Sequence, residues 1–93
     1  MKTLWTVKHD PLRLLTRTGD VSRFEESAQD QGEDLLQVEC SATDTTRVLD
    51  LGWYGDRYRV VLVAGDWERP LEIHERPNLA ESLSTFRELA GRF

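Results

Sequence analysis

Hydrophobic and polar residues alternate with a period of two through much of this chain, then shift to three- and four-residue spacing near its C-terminal end. The alternation begins at Thr3–His9, with Trp5, Val7 and His9 on one side and Leu4, Thr6 and Lys8 on the other. A period of two places successive side chains on opposite faces of a strand. Asp10-Pro11 is a turn signal, and Leu12–Arg17 resumes an apolar run that reads as a possible second strand. After Gly19-Asp20, the residues Val21, Phe24 and Ala28 recur at i, i+3 and i+7, which predicts a short helix over 20–31. Asp20 or Ser22 is placed to cap it, Glu25 and Glu26 suit its first turns, and Gly32 ends it.

Four strand-like segments follow, at Leu35–Cys40, Thr46–Trp53, Arg57–Ala64 and Trp67–His74. Tyr54-Gly55-Asp56 and Gly65-Asp66 are tight connections, so an antiparallel meander is the simplest arrangement. Pro70 removes a ladder donor and assigns the last segment to an edge or a bulge. Pro77 closes the sheet region. Asn78-Leu79-Ala80-Glu81 then approximates a capping box, and Leu79, Leu83, Phe86, Leu89, Ala90 and Phe93 form an apolar stripe. The spacing predicts a helix over 79–92 whose stripe needs the sheet as its partner. The expected fold is α+β, one domain over residues 1–93. It has five or six antiparallel strands in a meander, a C-terminal amphipathic helix and a second short helix.

Composition agrees with a folded domain. Ninety-three residues make one core, and a chain of that size buries about 60–65% of its unfolded surface, leaving little volume for a deep cavity. Eight aromatic residues and many aliphatic ones supply the surface that offsets chain entropy. Cys40 is the one cysteine, with no disulfide partner and no zinc-ligand spacing, which points to a reducing compartment. Met1-Lys2-Thr3-Leu4-Trp5 leads into charge without an apolar h-region, and Val60–Ala64 is the longest apolar run. The expectation is therefore a cytoplasmic protein with no signal peptide and no membrane association.

Charge changes the picture more. The net charge is −5. Residues 1–19 hold four bases and one acid, residues 20–50 two bases and nine acids, and residues 51–93 six bases and seven acids. The acidity thus belongs to the middle third, which repels phosphate backbones and attracts basic surfaces. Arg57-Tyr58-Arg59 beside Trp53-Tyr54 mixes bases with aromatics, but Asp50, Asp56 and Asp66 dilute it, so nucleic acid is not the expected partner.

Enzymatic signatures are weak. Glu72, His74 and Arg76 share one side of the last strand, and His9 with Asp10 is a further histidine–carboxylate pair. Such a cluster binds zinc or moves protons only if three or four groups converge. A solvated strand face explains it more simply. Cys40 reads as a small buried residue, and Ser41, Thr43, Thr45 and Thr46 lack an elbow turn or partner base. The six glycines never cluster into a phosphate loop. No catalytic residue, metal or cofactor is expected.

What remains is the acidic segment together with aromatics at turns, a combination suited to protein interfaces. The expected function is a small acidic, non-enzymatic protein-binding module of the inhibitor, immunity or adaptor type that engages a basic partner. Asp30, Glu33, Asp34, Trp53, Tyr54 and Trp67 are its candidate contacts. The alternative is a small enzyme or metal-dependent ligand binder using His9, Glu72 and His74. Homodimerisation through a sheet edge is a further possibility.

Overall fold

The alternating segments pair in the order in which they occur. The computed structural model describes residues 5–42 and 45–92. Residues 1–4, 43, 44 and 93, which enter the expectations above, lie outside them. β1 (Thr6–His9), β2 (Leu36–Ala42), β3 (Thr45–Trp53), β4 (Tyr58–Ala64) and β5 (Glu72–Arg76) form one sheet in the order β1-β2-β3-β4-β5. Every neighbouring pair is antiparallel. α1 (Glu25–Gln31) precedes β2, and α2 (Leu79–Arg92) follows β5. The fold is α+β, a five-stranded antiparallel sheet with a C-terminal helix against it and a second short helix.

Cross-strand register separates the two faces. Leu36, Leu51, Val60 and His74 form one row across β2 to β5, and Val38, Leu49, Leu62 and Glu72 form the next. Their apolar members are almost fully buried. α2 lays Leu79, Leu83, Phe86 and Leu89 on this face, and Leu14, Val21 and Ala28 complete the same core from the β1–β2 connection. Asn78 starts α2 as the capping pattern predicts. Its Oδ1 accepts the Glu81 N–H at 2.9 Å, and its Nδ2 donates to the Glu81 carboxylate at 2.8 Å.

Glu25 ties three elements together. Its carboxylate accepts the Leu79 N–H at 2.6 Å, satisfying a donor at the start of α2 that has no partner within the helix. It also accepts the Tyr58 hydroxyl of β4. Burial pushes the Tyr58 hydroxyl well above the ordinary tyrosine range, and the bond to Glu25 adds to the rise. At the other end of α2, the Trp5 indole N–H donates to the Ala90 carbonyl at 2.9 Å and anchors the start of the described chain.

Three local expectations change. Leu12–Arg17 is not a strand: Leu14–Thr16 is a 3₁₀ turn. The Asp10 carboxylate accepts the N–H groups of Leu14 at 2.8 Å and Leu15 at 3.2 Å, which fixes a turn where apolar composition favours extension. The helix expected over 20–31 begins as a 3₁₀ turn, Ser22–Phe24, and becomes α-helical only at Glu25. Asp20 bonds Ser22 locally and does not cap the α-helix. The last strand is shorter than Trp67–His74 and shifted to Glu72–Arg76. Asp66 directs this shift, because its carboxylate and carbonyl accept the N–H groups of Glu68 and Arg69 and hold 66–69 in a turn. The count is five strands.

Candidate functional site

The face of the sheet opposite α2 has no helix over it among the described residues. One row on it runs Gln37, Asp50, Val61, Ile73, and another runs Gly52, Arg59, Glu75. Glu39 and Val48 form a third with Val63. Ile73 is 51% exposed. Val48 and Val61 are half-buried and Val63 is buried, so the apolar surface that meets solvent there centres on Ile73, beside carboxylates.

A close backbone approach brings more acids to this face. Gly32 ends α1 at φ 65°, ψ −137°, a conformation essentially restricted to glycine. The following residues then lie against β3, where Trp53 N–H donates to the Gly32 carbonyl and Leu35 N–H to the Leu51 carbonyl. The Glu33 backbone sits so near Gly52 that a Cβ at position 52 would lie 2.5 Å from the Glu33 carbonyl oxygen. Glycine at 52 is what lets Glu33 and Asp34 reach the rim of the open face. Gly52→Ala is expected to lower stability by about 1–3 kcal/mol, as overpacking against backbone does, with shifted amide resonances at 33–35. A denaturant midpoint and an amide spectrum check this.

The acids sense one another. Burial raises the Asp50 carboxyl above the ordinary range, and Asp34 and Glu33 raise it further. The Gln37 amide, donating at 2.9 Å, and His9 oppose the rise. Burial likewise raises the Tyr54 hydroxyl, with Asp50, Glu33 and Asp34 adding to it against Arg59. The Arg59 guanidinium lies 4.6 Å from the Tyr54 ring centroid and reaches Glu75 at 3.5 Å. Its Nε is buried without a hydrogen-bond partner among the described residues. His9 Nε2–H donates to the Asp34 carbonyl at 2.6 Å, fixing the acidic turn to β1.

The Asp50 shift has a sign that can be tested. A carboxyl whose folded pKa is raised binds more protons in the folded than in the unfolded state, so its ionisation costs stability as pH rises from the ordinary value of about 3.9. Asp50→Asn keeps an acceptor for Gln37 and removes that cost. The variant is expected to be more stable than wild type at pH 7, and the difference should vanish as pH falls below about 3.9. Denaturant midpoints at the two pH values measure it.

The expected contacts do not form one patch. Glu33, Asp34 and Tyr54 gather around Asp50. Asp30 is exposed on α1. Trp53 lies on the α2 side, half-buried against the core, with its ring 4.7 Å from Tyr58. Trp67 is 56% exposed in the β4–β5 connection, beyond the opposite end of β4 from Tyr54. Asp50, Val61 and Ile73 were not among the expected contacts. The signal for them was the strand alternation itself, which assigns them to the face that α2 does not cover.

The histidine cluster does not assemble. β1 and β5 are opposite edges of the sheet, so four strand spacings of roughly 4.8 Å put His9 about 19 Å from His74. His74 Nε2 bonds Glu72 at 2.9 Å, and Arg92 of α2 reaches the same carboxylate at 2.8 Å. These bonds, the histidine's first, hold Glu72 below the ordinary carboxylate range. Arg76 donates to the Thr85 hydroxyl at 3.1 Å, so this row binds β5 to α2. Among the described residues no three His, Cys, Asp or Glu side chains are grouped to hold a metal ion. Cys40 is buried and unpaired. No helix among the described residues is long and apolar enough to cross a membrane. No protein-family model, curated protein or solved structure matches the chain.

Proposed function

We propose that this chain is a non-enzymatic binding protein, of the inhibitor or adaptor kind, whose uncovered sheet face engages a basic protein surface. One observation carries the reading: exposed Ile73 and half-buried Val61 continue across their row into Asp50, with Glu33, Asp34 and Tyr54 beside it. An apolar centre excludes water, and a charged rim selects the partner and speeds encounter. Burial disfavours the charge of Asp50, and a cation from a partner would offset that cost. Tyr54, stacked by Arg59, offers an amphipathic anchor of the type enriched at interface centres.

Affinity capture from a native lysate, run in parallel with wild type and Ile73→Asp, tests the reading. Ile73 is half exposed, so the substitution leaves the core intact. Wild type is expected to retain a protein with a basic surface that the variant loses. Equal retention by both would place the interface elsewhere.

A further inference from the structure

A second feature lies on the helical side of the sheet and does not depend on the reading above. The β1–β2 connection leaves a surface concavity of about 360 Å³ lined by Arg13, Arg17, Arg23, Asp20 and Phe24 together with Thr16 and Thr18. Three guanidinium groups face one carboxylate there, in a chain whose net charge is −5. None of the three arginines forms an ion pair among the described residues. Asp20 does not neutralise them by contact, because its two oxygens accept the Ser22 N–H and hydroxyl, each at 2.9 Å.

The fold holds the side chains of Arg17 and Arg23 and the backbone of Arg13. The Arg17 guanidinium lies 3.9 Å from the Phe24 ring centroid, and its Nε donates to the Leu12 carbonyl at 2.9 Å. Arg23 lies 4.8 Å from the same ring. Arg13 adopts φ 54°, a left-handed conformation unfavourable for a side chain of this kind. The bond from its N–H to the Asp10 carbonyl at 3.0 Å, with the Asp10 carboxylate on the next two N–H groups, maintains it. From α2, Arg87 donates to the carbonyls of Leu14 at 3.0 Å and Arg17 at 2.7 Å, fastening the loop to the helix. Like charges gathered against one ring repel, and an oxyanion between them removes the repulsion.

We propose that this concavity binds the phosphate group of a small phosphomonoester through Arg13, Arg17 and Arg23. The lining's excess of two positive charges matches a phosphate monoester's charge of about −1.5 to −2 at neutral pH. Guanidinium forks pair bidentately with phosphate oxygens, and the Thr18 hydroxyl adds a donor. The volume sits at the lower end of the roughly 300–1,000 Å³ of small-molecule sites, enough for a phosphate and a short attached group.

The test is an amide chemical-shift titration of the full chain with inorganic phosphate and with free phosphoserine, at constant ionic strength, against serine as control. Saturable shifts confined to residues 12–24 are expected below about 10 mM ligand for both phosphates and not for serine. Arg17→Gln with Arg23→Gln should weaken binding at least ~10-fold, while Arg57→Gln leaves it unchanged. Should the double variant lose its fold, Arg13→Gln alone is expected to weaken binding about threefold. No saturable shift by about 10 mM, shifts spread over all arginines, or affinity indifferent to Arg13 and to Arg17 with Arg23 would each overturn the assignment.

Discussion

Phe86→Ala is expected to lower stability by about 3–5 kcal/mol, the range for emptying an aromatic site in a packed core. Phe86 is fully buried mid-way along the α2 stripe, between Leu83 and Leu89, in the same core as Leu49, Leu51, Val60 and Leu62. Whole domains are stable by only ~5–15 kcal/mol, so the loss takes a large share of the total. Leu83→Ala should cost about 2–5 kcal/mol by the same mechanism. Neither residue touches the opposite face, so both variants should keep partner selectivity while their denaturant midpoints fall. Midpoints that barely move would mean that α2 is peripheral and the core lies elsewhere.

The second large effect concerns charge. Glu33→Lys with Asp34→Lys reverses two charges that raise the Asp50 carboxyl. Neither side chain is buried. The backbone links that position this turn, from Trp53 and Leu35 N–H and from His9, involve backbone carbonyls as acceptors. The fold should therefore survive, and relief of repulsion at Asp50 should stabilise it slightly. Association with a basic partner is expected to slow at least ~10-fold at low salt, because steering follows the sign of the local field. Asp30→Lys alone should have a smaller effect, since Asp30 is exposed on α1 and is not among the groups that perturb Asp50.

Local chemistry made the elements legible. Alternation and the apolar run at Arg57–Ala64 located four strands and the region of the fifth, and the Asn78–Glu81 cap placed the start of α2. Leu12–Arg17 misled because its apolar composition says nothing of Asp10, whose carboxylate takes two N–H groups that a strand would need. The site was harder to read because its geometry is non-local. Glu33 and Asp34 stand out by charge, but only the contact with Gly52, far along the chain, brings them beside Asp50. Trp53 looked like an interface anchor at a turn, yet register puts it in line with Tyr58 on the covered face. The same limit hid the arginine concavity: the surplus of bases over residues 1–19 was visible, but the meeting of Arg17 and Arg23 on the Phe24 ring is tertiary.

The central claim is that carboxylates beside the bare sheet face recruit a basic protein. Stopped-flow association of the captured partner with wild type and with the Glu33→Lys, Asp34→Lys chain, at low and at high salt, tests it most directly. The account predicts a gap of at least ~10-fold at low salt that narrows as the Debye length contracts from ~30 Å at 0.01 M to ~3 Å at 1 M. Equal rates for the two proteins at low salt would contradict it and leave Glu33 and Asp34 as solvated surface.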